Sequence, residues 1–233
     1  YIQGALHMQF LKISTSADAL PSSGGSKFIS KSGIYDVIIK FASIDVSTNG
    51  AQSINFNIEY NGNTQTIYGP YVTSTKDEPL KIGTQLANSL GIIAGLGEND
   101  ALTVEQEEHK VGKDSTLKEF NVIPQFSDLE VKMRIQEEYS INPKTNEIRK
   151  SLVPRAFYRA DGASVREIIN NTEVGVQLEK DQASYASAVT YNDGLTAEKI
   201  AEWEASKSDS SAKPTAPAAS IKPAGSLFIK PKA

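Results

Sequence analysis

Residues Ser53 to Tyr60 alternate without a break: Ile54, Phe56, Ile58 and Tyr60 are apolar or aromatic, and Ser53, Asn55, Asn57 and Glu59 are polar. Successive side chains of a strand point to opposite faces, so this period demands a strand with one buried face and one wet face. An Asn-Gly pair stands on either side, Asn49-Gly50 within STNGAQ (47–52) and Asn61-Gly62. Asn-Gly is the strongest short signal for a type I′ hairpin. The flanking segments are strand-like too. Ile34–Val46 places Tyr35, Val37, Ile39 and Phe41 on one face and Asp36 and Lys40 on the other, and Thr64–Tyr68 follows the second turn. A three-stranded antiparallel meander is expected, and the rest of the chain has to pack against it.

Beyond the meander the periodicity changes. Leu80, Leu86, Leu90, Ile93 and Ala94 recur near helical spacing, which predicts a helix across 78–96 with Pro79 in its first turn. Residues 98–108 hold Glu98, Asp100, Glu105, Glu107 and Glu108 with no base, and read as a solvated acidic helix or loop, the alternative being a patch that mimics nucleic acid or meets a basic partner. Strands resume after Leu117, and over Asp128–Tyr139 Leu129, Val131, Met133 and Ile135 interleave with Glu130, Lys132, Arg134 and Gln136. SINPKTNE (140–147) is a turn, and Ile148–Arg159 is the expected hairpin mate. Val165–Ile169 reads as a short helix, Thr172–Tyr185 is ambiguous, and Thr196 caps a last helix through TAEKIAEWEASK. Strands first and helices inserted later predict an α+β fold: a twisted antiparallel sheet of hairpins with a few packed helices. The helix at 78–96 has no place in a simple five-stranded OB barrel, so a diverged OB-like or a non-OB fold is expected.

The ends read differently. Tyr1–His7 precede Met8 and resemble the remnant of a protease-site tag, and Phe10–Ile13 is a candidate opening strand. From Ser206 to Ala233 the chain is rich in Ser, Ala, Pro and Lys, a composition that cannot bury enough apolar surface to order itself. Lys207, Lys213, Lys222, Lys230 and Lys232 there face one acid, Asp209, so 206–233 is expected to be a flexible basic arm with a short apolar anchor, Leu227-Phe228-Ile229: either a solvated tail with no role or a docking arm for a neighbouring subunit, a partner or phosphates. Between the ends, 8–205 is expected to form a single domain.

Composition removes several kinds of chemistry. There are no cysteines, which excludes a disulfide framework, a thiolate metal site and a cysteine nucleophile. His7 and His109 are the only histidines. No Gly-x-x-x-x-Gly-Lys, Gly-x-Gly-x-x-Gly, Gly-x-Ser-x-Gly or His-Glu-x-x-His motif occurs. No apolar stretch reaches the roughly 18–20 residues of a membrane span. A non-enzymatic, cytosolic protein without a cofactor is expected. Asp36, Glu59 and Glu130 are the carboxylates from which a magnesium site could be assembled, though nothing in their spacing demands it. The net charge of −4 means that any nucleic-acid binding has to use a local patch.

The segment IRKSLVPRAFYRA (148–160) is the best candidate for such a patch. Three of the five arginines fall in it, Arg149, Arg155 and Arg159, together with Lys150 and no acid. Guanidinium pairs with phosphate bidentately, and an exposed ring stacks a base. Period two puts Arg155, Phe157 and Arg159 on one face and Tyr158 on the other, with Pro154 marking an edge or bulge. Lys132 and Arg134 on the partner strand extend the patch. The candidate DNA-binding residues are thus Lys132, Arg134, Arg149, Lys150, Arg155, Phe157, Tyr158 and Arg159. The competing reading puts Phe157 in the core and pairs the arginines with Glu130 and Glu137 across the hairpin. A second candidate surface is the first meander, with Lys27 and Lys31 beside it and Tyr35, Phe41, Tyr60, Tyr68 and Tyr71 on it. Tyr68 and Tyr71 flank Gly69-Pro70 and are the rings expected to be most exposed.

The stretch GIYDVIIKFASIDVSTNGAQSINFNIEYNG (33–62) resembles single-stranded DNA-binding proteins of tailed bacteriophages, and in overall layout the chain is most similar to the single-stranded DNA-binding RNA polymerase cofactors of short-tailed phages. The resemblance implies non-catalytic binding of single-stranded DNA in phage replication or transcription. It also implies recruitment of a phage RNA polymerase, and a location in the cytoplasm of an infected bacterial host. Single-strand-binding proteins often end in an acidic tip, where this chain has Lys-Pro-Lys-Ala. A homo-oligomer is expected, and no membrane partner. A virion structural or assembly protein is the alternative.

Overall fold

The computed structural model describes residues 27–112 and 116–210. The candidate strand Phe10–Ile13, Tyr1–His7 and the part of the expected basic arm after Ser210 lie outside those residues. The fold is α+β: an eight-stranded, mostly antiparallel open sheet with four helices among the described residues. The described residues of Tyr1–Tyr139 and Lys150–Thr190 make one compact unit, and those of Ser140–Arg149 and Tyr191–Ala233 make a second.

The expected meander forms as β1 (Gly33–Val46), β2 (Gln52–Tyr60) and β3 (Asn63–Tyr71), with β2 between the other two. Asn61 and Gly62 both have positive φ, as a type I′ turn requires. The first turn is different: of Asn49 and Gly50 only the glycine is left-handed, and Ser47 accepts the Gly50 N–H at 2.9 Å. β1 is long enough to serve three partners. Residues 38–46 pair with β2, while 33–39 pair with β6 (Leu129–Ile141) and Ser43 meets Val122.

A bulge at Lys40 corrects the sequence reading of β1. Ile39 is opposite Ile58 but Phe41 is opposite Asn57, so one extra residue on β1 transfers every later side chain to the other face. Val37, Ile39 and then Ala42 join the core, and Phe41 moves to the opposite face. There it stacks on His109, with ring centroids 3.9 Å apart and planes 14° apart, and lies 5.0 Å from Phe120. Both rings come from the hairpin of β4 (Glu105–Val111) and β5 (Thr116–Val122); the sequence reading has strands resuming after Leu117, within β5, and places no strand at β4. The 98–108 run is thus a loop and a strand rather than a helix. Glu105–Lys110 is polar throughout, so β4 carries no hydrophobic contrast with a period of two.

Helix α1 spans Lys81–Ile93, shorter than 78–96. Pro79 is excluded because it bridges Thr73 in an extended pair, and Leu80 is the last non-helical residue. Leu86, Leu90 and Ile93 drop into one core with Phe56, Ile58, Ile67, Phe126 and Phe157. A Cβ on Gly83 would lie 2.1 Å from the Tyr71 carbonyl oxygen, so glycine is what lets α1 dock on the chain leaving β3.

The second hairpin pairs β6 with β7 (Ile148–Arg159), and β6 also pairs with β8 (Val189–Tyr191). Helices α2 (Val165–Asn170) and α3 (Val176–Tyr185) follow, so the ambiguous segment is mostly helical. Glu167 organises both starts. In a capping box its carboxylate accepts the Ser164 N–H at 2.7 Å, and it also accepts the N–H groups of Gln177 at 2.8 Å and Gly175 at 3.3 Å. Helix α4 (Ala197–Ser210) buries Ile200 and continues past Ser206, where a flexible arm was expected to begin.

Candidate nucleic-acid interface

The basic hairpin is assembled as predicted, but its residues are already engaged. Phe157 is 3% exposed and meets Phe56 edge-on at 5.3 Å. Its ring fills the core and offers no face to a base, which corrects its assignment as a stacking residue. Tyr158 is buried as well and donates its hydroxyl to Asp181. Burial first, and then that carboxylate, push the phenol well above its usual pKa. Arg134 packs over the Tyr185 ring at 4.6 Å and pairs with the same Asp181 at 3.3 Å. Tyr158, Asp181 and Arg134 form a largely buried polar network that ties α3 to the hairpin.

The remaining cations pair with acids. Lys132 bonds Asp36 across the β1–β6 register, Lys150 meets Glu137 at 2.7 Å, and Arg155 meets Glu138 at 2.7 Å. Arg159 forms a local pair with Asp161 at 2.6 Å. Arg149 donates to the Ser140 hydroxyl at 2.8 Å. The competing reading of a cross-strand charge ladder describes this hairpin better, with Glu137 and Glu138 as the acceptors instead of Glu130 and Glu137. Pro154 is fully buried.

The meander carries the exposed rings. Tyr68 is 69% exposed and Tyr71 is 51% exposed, both on β3, which ends the strand order of the sheet. Tyr68 lies opposite Asn55 and Tyr71 opposite Ser53, so both rings share the non-core face with Asn57 and Thr66. The geometry between them is built by Gly69. The register shifts at this point, and a Cβ there would lie 1.9 Å from the Ile54 carbonyl oxygen. Asn55 secures the irregularity, accepting the Gly69 N–H at 3.2 Å while donating to Asp45 at 2.6 Å. Asn57 accepts from Thr66 at 2.8 Å. Asn55 and Asn57 are therefore buried and satisfied, although period two put them on a wet face. Tyr35, Phe41 and Tyr60 are wholly or partly buried.

Lysines stand at both ends of this edge. Ile29 and Gln65 exchange two hydrogen bonds, at 2.9 and 2.8 Å, which ties the segment holding exposed Lys27 and Lys31 to the start of β3. At the other end, the chain turns at Ser74–Glu78 and enters α1, with Lys76 and Lys81 both exposed. Gln65 and Tyr71 are about 20 Å apart along a strand at the usual rise. Sequence reasoning named the two tyrosines and Lys27 and Lys31. It missed Lys76 and Lys81, whose place depends on how α1 docks.

Asp36, Glu59 and Glu130 line one cavity of about 320 Å³, and Asp36 is paired with Lys132. No cluster of three acids or histidines among the described residues is spaced to hold a metal ion. No helix among them is long and apolar enough to cross a membrane. No family model, curated protein or solved structure matches the chain.

Proposed function

We propose that this chain is a non-catalytic single-stranded DNA-binding protein that engages the strand along the β3 edge. The observation that carries the reading is the pair of exposed rings, Tyr68 and Tyr71, on one face of an edge strand with exposed lysines beyond each end. Rings stack unpaired bases and lysines follow the phosphates, a combination that selects single strands with little regard for sequence. Of the β6–β7 hairpin, Arg159 contributes at the margin, since its exposed pair with Asp161, worth about 0–1 kcal/mol, yields to phosphate. The resemblance of residues 33–62 supports a setting in phage replication or transcription inside an infected bacterium, with a phage RNA polymerase as the recruited partner.

Fluorescence anisotropy with a labelled 30-mer, single-stranded and duplex, at two salt concentrations tests the proposal. Tighter binding of the single strand, weakened when Tyr68 or Tyr71 becomes alanine, is the expected result. Equal affinity for both forms overturns it, and absence of binding to either turns the assignment to a virion structural or assembly protein.

A further inference from the structure

A second cavity, of about 560 Å³, lies at the C-terminal end of α1 and is lined by none of the residues placed on the β3 edge. Its wall is mostly apolar: Ala87, Gly91, Ile92, Leu96, Leu102 and Ile169. Leu102 and Ile169 leave 37% and 64% of their surface in water. The volume falls within the roughly 300–1,000 Å³ of sites that accept apolar groups. Glu98 and Asp100 stand at its margin, both exposed. They open the acidic run that continues through Glu105, Glu107 and Glu108 with no base before His109. An apolar hollow with an acidic rim calls for a ligand that is apolar in the middle and basic at its ends.

The chain contains that ligand. Leu227-Phe228-Ile229 is followed by Lys230 and Lys232 and preceded by Lys222, with no acid after Asp209. We propose that the cavity beside α1 receives the Leu227-Phe228-Ile229 segment of a neighbouring copy, with Lys230 and Lys232 set against Glu98 and Asp100. The sixteen residues between Ser210 and Leu227 span at most about 55 Å when extended, enough to reach an adjoining molecule. One copy offers the segment and the next offers the cavity, so the contact is heterologous and propagates head to tail. The inference uses none of the residues assigned to DNA, and stands or falls separately.

Carbodiimide coupling of the full chain, in an equal mixture of unlabelled and ¹⁵N-labelled protein, tests it by joining paired amines and carboxylates without a spacer. Lys230 or Lys232 joined to Glu98 or Asp100, in peptides that pair a light with a heavy chain, is the expected product. Phe228→Asp removes the apolar plug. Asn88→Trp fills the hollow from an exposed position of α1. Each should cut the yield about tenfold or more, the loss that follows from exposing one phenylalanine. An unchanged melting temperature shows that each variant is folded. Absence of mixed-isotope products overturns the proposal. So does a yield that neither substitution alters, which would mark attraction by charge alone.

Discussion

The β6–β7 hairpin and the β3 edge are written in the same residue types, rings interleaved with cations, and they use them in opposite ways. On the hairpin the rings point inward, Phe157 against Phe56 and Tyr158 against Asp181, and the cations pair with acids on the partner strand or nearby. On the β3 edge the rings point outward, and the lysines at its ends are exposed. The hairpin looks richer when bases are counted along one strand. Strands act in pairs, however, and β6 brings Glu137 and Glu138 to meet Lys150 and Arg155. A count confined to 148–160 leaves them out. Formal charge per segment is thus a poor guide to a binding face in a sheet, where each residue has a cross-strand partner.

The contrast is broken or sharpened most strongly at Phe157. Removing a core ring costs about 3–5 kcal/mol, so Phe157→Ala should lower Tm by roughly 6–20 °C for a chain of this size. A thermal melt reads this directly. A variant that melts like the parent but loses preference for single strands would restore Phe157 as a stacking residue and reverse the comparison.

Next in size is the β3 edge. Tyr68→Ala and Tyr71→Ala should each weaken single-strand binding by about 1–3 kcal/mol, the value of one stacked base, with duplex binding little changed. Tm should hold, because neither ring is in the core. A matched loss for single strand and duplex would mean that the tyrosines do not stack.

Those outcomes bear on what was legible in the sequence. The meander, the β6–β7 hairpin and the last helix were readable because hydrophobic contrast repeats every two residues or every turn. β4 was not, since Glu105–Lys110 is polar throughout, and β5 was legible only as strands resuming after Leu117, because Leu117, Phe120 and Val122 keep no single period of two. Nor was the bulge at Lys40, because an inserted residue leaves each local stretch of β1 equally strand-like while exchanging the faces beyond it. That exchange took Phe41 out of the core and onto His109. For the site, the exposure of Tyr68 and Tyr71 followed from the Gly69-Pro70 break, whereas Lys76 and Lys81 depend on a docking contact between Gly83 and Tyr71 that no spacing reveals.

A smaller effect is expected at Glu167, which holds the starts of α2 and α3 beyond the end of the hairpin. Burial works to raise its pKa, but the N–H groups of Ser164, Gln177 and Gly175 outweigh burial and hold it below the usual carboxylate range. A carboxylate lowered on folding stabilises the fold at pH values above its unfolded pKa, and the stabilisation is lost as pH falls through the folded value. Wild-type protein should therefore lose Tm on acidification through that window. Glu167→Gln should start about 2–4 °C lower at neutral pH and show a shallower acid limb, measured by calorimetry across pH. Parallel acid limbs would show that Glu167 is not the titrating group.

The smallest effect is expected at Arg155, and it is the most direct probe of the hairpin. Its partner Glu138 is 2.7 Å away, and both side chains keep about a quarter of their surface exposed (26% and 25%). Such a pair is worth about 0–1 kcal/mol, so Arg155→Ala should move Tm by no more than about 4 °C. Its DNA affinity separates the two regions. If Arg155 stays with Glu138, the salt dependence of single-strand binding keeps the parent slope. If it leaves Glu138 for a phosphate, the logarithmic slope flattens by about 0.7 in the variant, since one fewer counterion is released. Lys76→Ala and Lys81→Ala supply the internal reference, and each should flatten the slope by that amount. A flattening at Arg155 with none at the two lysines would return the strand to the hairpin and leave the β3 edge without a ligand.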